Sequence, residues 1–96
     1  MQTESATLEL ALVFHRRIAA IVAAVQEGIW TVGRQELIGY DSDFGFGQKR
    51  GVQSLVLKTT HRSAYVRLDW NTLVGTSPDD QQRIDDSIRG AILALC

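Results

Sequence analysis

The apolar positions change rhythm along the chain. Over residues 5–27 they recur at intervals of three and four: Leu10, Phe14, Ile18, Ile21, Val22 and Val25 fall on one face of a helix, and Leu8, Ala11 and Leu12 widen it. Glu9, Arg16 and Glu27 share the opposite side. The interior of this stretch has neither Pro nor Gly, Ser5 offers an N-cap, and Gly28 offers a stop. At 100° per residue the apolar arc covers roughly 200°, against the ≳100° stripe of an ordinary surface helix. Such a helix would be about 34 Å long, as long as a globule of this size is wide. The sequence therefore predicts an opening helix that needs more than one neighbour.

Beyond Gly28 the rhythm shortens to two. Ile29–Val32 and Glu36–Tyr40 read as one irregular strand broken near Gly33, or as two short ones. Val52–Thr59 is a strand rich in Val and Leu. Ala64–Trp70 alternates most clearly, with Ala64, Val66, Leu68 and Trp70 on one side and Tyr65, Arg67 and Asp69 on the other. Thr60–Ser63 is short enough to join these two strands in an antiparallel hairpin. Residues 71–76 read as a connector. A second helix then opens at Ser77, with Ser77 as N-cap, Pro78 in the first turn and Asp80 completing a capping-box-like pattern. Asp79 and Asp80 suit the positive end of its dipole. Ile84, Ile88, Ala91, Ile92 and Leu95 form its buried stripe, and Gly90 offers a place for another backbone to come close. The expected fold is α+β: one domain over residues 1–96, elements in the order α-β-β-β-α with room for a fourth short strand, and an antiparallel sheet with both helices packed on one face.

Composition narrows the function classes. With 96 residues, 45% of them hydrophobic, and a net charge of −1, the chain is neither a fibrous repeat nor a disordered segment, and it is too short for a multidomain enzyme. Folding would bury roughly 64% of its surface, leaving little interior for a deep substrate cavity. A pI near 6.0 argues against nucleic acid as a partner. The single cysteine, Cys96, makes no internal disulfide, which points to the cytoplasm. Glu4 and Glu9 precede Arg16 and Arg17, the reverse of a signal peptide, and the charges within 8–25 break the run a membrane span needs.

The most unusual stretch is Gly39–Gly51, which packs four glycines, two aspartates and three aromatics into thirteen residues. One reading makes it a recognition loop for a protein or small ligand, anchored by Tyr40, Phe44 and Phe46 with Lys49 and Arg50 as charged contacts. The other makes it a long hairpin connection whose phenylalanines tuck under the sheet. Three chemical motifs fail within it. Asp41-Ser42-Asp43 begins like a calcium loop but puts Phe46 where the turn glycine belongs. Gly45, Gly47 and Gly51 are misspaced for a dinucleotide loop. Asp43-Phe44-Gly45 has no kinase around it.

Five basic residues and no acid follow Phe44 as far as Leu68: Lys49, Arg50, Lys58, Arg62 and Arg67. Such a basic hairpin could meet an acidic protein or a nucleic acid, but Asp79, Asp80, Asp85 and Asp86 on the last helix supply the opposite sign, and with a near-neutral total internal balance is the preferred account. His15 and His61 lack a second ligand at metal spacing, and neither a metal nor a cofactor is expected. His61 with Asp69 is the one acid–base pair on which a small hydrolase or isomerase could be built. Trp30 and Trp70 read as core or rim residues, and Cys96 as an unreactive thiol.

The wide arc of the first helix favours a small self-associating interaction protein, a homodimer sealed through Leu8, Leu12, His15, Ile21 and Val22. The alternative is a small-molecule binder with an apolar pocket between helices and sheet, entered beside the 39–51 loop. In general look the chain resembles the short products of mobile gene cassettes and phage accessory regions, a likeness that assigns no residue a role.

Overall fold

In a computed structural model of the chain, residues 2–42 and 52–96 are described. Helix α1 runs over Gln2–Gly33, strand β1 over Gly39–Ser42, β2 over Val52–Lys58 and β3 over Ser63–Asp69. A short helix α2 follows directly at Trp70–Val74, and α3 covers Pro78–Leu95. The strands form one antiparallel sheet in the order β1-β2-β3, in register with Tyr40 opposite Leu57, Leu55 opposite Val66 and Gln53 opposite Leu68. The expected α+β architecture is the one found.

Two elements differ from expectation. Helix α1 does not stop at Gly28, and Ile29–Val32 is its last turn rather than a strand. The buried positions explain why: Phe14, Ile18, Ile21, Val25 and Ile29 step by four, three, four and four, so Ile29 continues the inward stripe and is fully buried. Gly28 does not end the helix; α3 packs against it there, and a Cβ at Gly28 would overlap the Ile92 side chain. Gly90 meets no neighbour, so the close approach lies at Gly28 and not at Gly90. The helix ends instead at Arg34, whose φ of 54° is the left-handed conformation of an αL cap. Its N–H donates to the Trp30 carbonyl at 3.0 Å, and the Gln35 N–H to the Ile29 carbonyl at 3.1 Å. Residues 34–38 are a connection, and the first strand begins only at Gly39, later than expected.

The second difference is α2 in place of a plain connector. Its first residue, Trp70, leaves the alternation of β3 and stacks on Phe14 with ring centroids 4.8 Å apart. The α3 start is as the sequence predicts: the Asp80 N–H donates to Ser77 Oγ at 3.1 Å.

The core lies between the helices and one face of the sheet. Ile21, Val25 and Ile29 of α1, Leu55 and Leu57 of β2, Val66 of β3, Leu73 of α2 and Leu95 of α3 belong to a single buried cluster. On β3 the buried and exposed residues alternate strictly, so Tyr65 and Arg67 stand on the open face. Arg17 ties α1 to the α2–α3 connection, donating to the Gly75 carbonyl at 3.0 Å and to Gln81 Oε1 at 3.3 Å. The molecule measures 47 × 26 × 19 Å. At 1.5 Å per residue the 32 residues of α1 span about 48 Å, its whole long axis.

Candidate interaction surface

A groove runs between the flank of α1 and the segment that leads into β1. Its floor is Ala19, Val22, Ala23 and Gln26; its wall is Leu37, Ile38, Gly39 and Tyr40, and it is an open trough of about 450 Å³. Gln26 fixes the wall to the floor: its Oε1 accepts from the Leu37 N–H at 2.8 Å, and its Nε2 donates to the Gln35 carbonyl at 3.4 Å. Both amide ends are therefore used internally, and what faces outward is mainly apolar. Ile38 is 68% exposed and Tyr40 49%. Farther along α1, outside the groove, Leu12 and Trp30 are both nearly half exposed. Arg34 lies over the Trp30 ring at 5.3 Å. From Ile18 to Gln26 the helix carries no charged residue, although Ala19, Ala20 and Ala23 all face out.

The residues expected to seal a dimer divide. Leu12 and His15 are exposed, His15 making an edge contact with Phe14 at 6.0 Å between centroids. Val22 is half-buried in the groove floor. Ile21 is 1% exposed and belongs to the chain's own core, out of reach of a partner. The Leu8 side chain lies outside the described residues. Of the recognition-loop residues, Tyr40 stands in the groove wall, and Phe44, Phe46, Lys49 and Arg50 lie outside the described residues. Ala19, Ala23 and Ile38 lie outside the expected interface, and Trp30, expected in the core or at its rim, is 44% exposed. The charge-free run from 18 to 26 was the signal for the first two.

The charged groups sort themselves locally. Lys58 pairs with Asp41 at 3.4 Å rather than with the last helix. Asp85 and Asp86 accept from Gln81 and Gln82 on their own helix, each at 2.9 Å, and Arg89 sits 3.6 Å from Asp86. Arg67 lies over the Tyr65 ring at 5.8 Å and shares a shallow cleft with Asp69, Arg83 and Asp86, where the signs alternate. His61 and Asp69 do not meet. His61 lines a cleft with Thr59, Arg62 and Cys96 just before β3, whereas Asp69 ends that strand, roughly 20 Å away along seven extended residues. Cys96 is exposed, with Sγ 3.9 Å from the Ile29 carbonyl.

Among the described residues no helix is long and apolar enough to cross a membrane. Comparison of the chain with protein-family models, curated proteins and solved structures finds no significant match.

Proposed function

We propose that this chain is a small self-associating interaction protein whose pairing surface is the outward flank of α1 together with the groove beside it. The observation that carries this reading is the outward row of Leu12, Ala19, Ala23 and Trp30 beside the exposed Ile38 and Tyr40. Covering such a surface removes apolar area from water, at about 25 cal/mol per Å², and a second copy is the commonest cover. Light scattering over a dilution series tests it: a dimer is expected at micromolar concentration, and a monomer throughout would overturn the reading. Leu12→Glu should leave a folded monomer, whereas Ile21→Glu should unfold the chain, because position 21 is enclosed.

The groove's volume also supports a second reading, an apolar small ligand seated against Val22, Ala23 and Tyr40, since about 450 Å³ lies in the range of small-molecule sites. A thermal-shift screen with hydrophobic and anionic metabolites tests that. Stabilisation by a ligand, lost in Ala23→Trp, would support it, and no shift across a broad library would remove it.

A further inference from the structure

The exposed row on α1 is a palindrome. Leu12, Ala19, Ala23 and Trp30 are separated by seven, four and seven residues, and at 100° per residue they fall within about 40° of one another around the helix. Read from either end, the row runs large, small, small, large, with its centre at position 21. Arg16 and Glu27, the exposed charges nearest the uncharged run on either side, lie almost equally far from that centre on the same outward side, whereas Arg17 is turned to Gly75 and Gln81. Neither Arg16 nor Glu27 forms an ion pair among the described residues. A two-fold axis that passes between two antiparallel helices, perpendicular to both and level with position 21, brings residues equidistant from that position together, residue i meeting residue j of the partner while j meets i.

We infer that two copies pair through antiparallel α1 helices about an axis at position 21, with Leu12 against Trp30, Ala19 against Ala23, and Arg16 facing Glu27, each contact made twice. The inference rests on the self-association proposed above and adds its geometry. The alanines at the centre let the helix axes approach to the short end of the usual 8–10 Å range. Leu12 and Trp30 supply large apolar anchors on either side of the contact. Two reciprocal opposite-charge pairs fix the direction, since a parallel pairing would set Arg16 against Arg16 and Glu27 against Glu27.

Cross-linking tests the geometry separately from the association. In a Cys96→Ser background, Ala19→Cys and Ala23→Cys chains are prepared alone and mixed, then oxidised mildly. The mixture should give a covalent 19–23 heterodimer while each chain alone stays largely uncrosslinked. Efficient 19–19 and 23–23 cross-links would overturn the antiparallel register. Absence of the heterodimer while light scattering still reports a dimer would also overturn it and leave the association standing. A monomer in light scattering would remove both. As a second arm, Arg16→Glu or Glu27→Arg alone should weaken dimerisation about tenfold at low salt, and the two together should restore it; equal losses that add in the double variant would overturn the charge pairing.

Discussion

Gly28 stands opposite Ile92, and the isoleucine already occupies the space that a side chain at position 28 would take. A Cβ on Gly28 would overlap Ile92 Cδ1 and lie 2.8 Å from Cγ1. The contact is where α1 and α3 come together, with Ile29 and Ala91 buried next to it. Gly28→Ala places two effects in opposition. Alanine favours helix over glycine by about 1 kcal/mol, and overpacking against Ile92 costs about 1–3 kcal/mol. The expected result is a net loss of about 1 kcal/mol in chemical denaturation. In an Ile92→Ala background the same substitution should instead stabilise, by up to about 1 kcal/mol. One sign in both backgrounds would show that the two residues do not touch.

That contact also marks the limit of what the sequence makes legible. A glycine after twenty-odd helical residues is locally a stop signal, and only the tertiary neighbour at Ile92 shows that it is a close approach instead. The competing signal was present in the spacing: Ile29 lies four residues after Val25 on the same stripe. The hairpin of β2 and β3 was readable because one buried face imposes strict alternation, and the Ser77 cap because its chemistry is local. The groove was not, since its wall depends on Gln26 reaching across to Leu37, a long-range hydrogen bond that leaves no period in the sequence. Ile21 and Leu12 have the same apolar character, yet one is core and the other surface. Which part of a wide apolar arc faces inward is set by where the sheet sits.

The continuation of α1 past Gly28 can be tested by three truncations in its last turns. Ile29 is fully buried and Val32 is 68% exposed. Ile29→Ala should therefore lose about 2–5 kcal/mol, as for other large core residues. Val32→Ala should change stability by no more than about 0.5 kcal/mol. Had residues 29–32 formed a half-buried strand, positions 30 and 32 would share one face and 29 and 31 the other; helical burial instead leaves Trp30, Thr31 and Val32 all exposed. Thr31→Ala separates helix from strand: it should be nearly neutral on the helix, where Thr31 is exposed, and a loss there comparable to that at 29, its same-face neighbour in a strand, would contradict the helix.

Ser77 caps α3 with its hydroxyl, accepting the Asp80 N–H at 3.1 Å. Ser77→Ala removes that acceptor and leaves a first-turn donor to water, at a cost of about 1 kcal/mol. Ser77→Asp keeps an acceptor at the same place and should retain stability, although Asp79 and Asp80 already crowd negative charge into the first turn. Raising the salt concentration should screen that repulsion and bring Ser77→Asp closer to the parent. A loss in Ser77→Asp equal to that in Ser77→Ala at high salt would mean that the hydroxyl's hydrogen bond is not what holds the helix start.

Gln53 in β2 and Thr59 just past its end flank the buried Leu55 and Leu57, and the two polar groups are treated differently. Thr59 Oγ1 accepts from the Arg62 N–H at 3.1 Å and the His61 N–H at 3.4 Å, which fixes the turn into β3. Gln53 is 3% exposed, and among the described residues neither Oε1 nor Nε2 has a hydrogen-bond partner. Burying an amide without partners costs about 1–3 kcal/mol by protein mutational measures. Gln53→Met keeps nearly the same length and removes both orphaned atoms, so it should raise stability by about 1–2 kcal/mol, or several degrees in Tm for a domain of this size. Thr59→Val keeps the shape but leaves two backbone donors without their acceptor, and should lower stability by about 1–2 kcal/mol. The two substitutions exchange a buried polar side chain for an apolar one of similar volume, so hydrophobicity alone would predict the same sign for both. Opposite signs would show that hydrogen-bond satisfaction decides the outcome, and a loss in Gln53→Met would mean that the Gln53 amide finds a partner in the folded protein in solution.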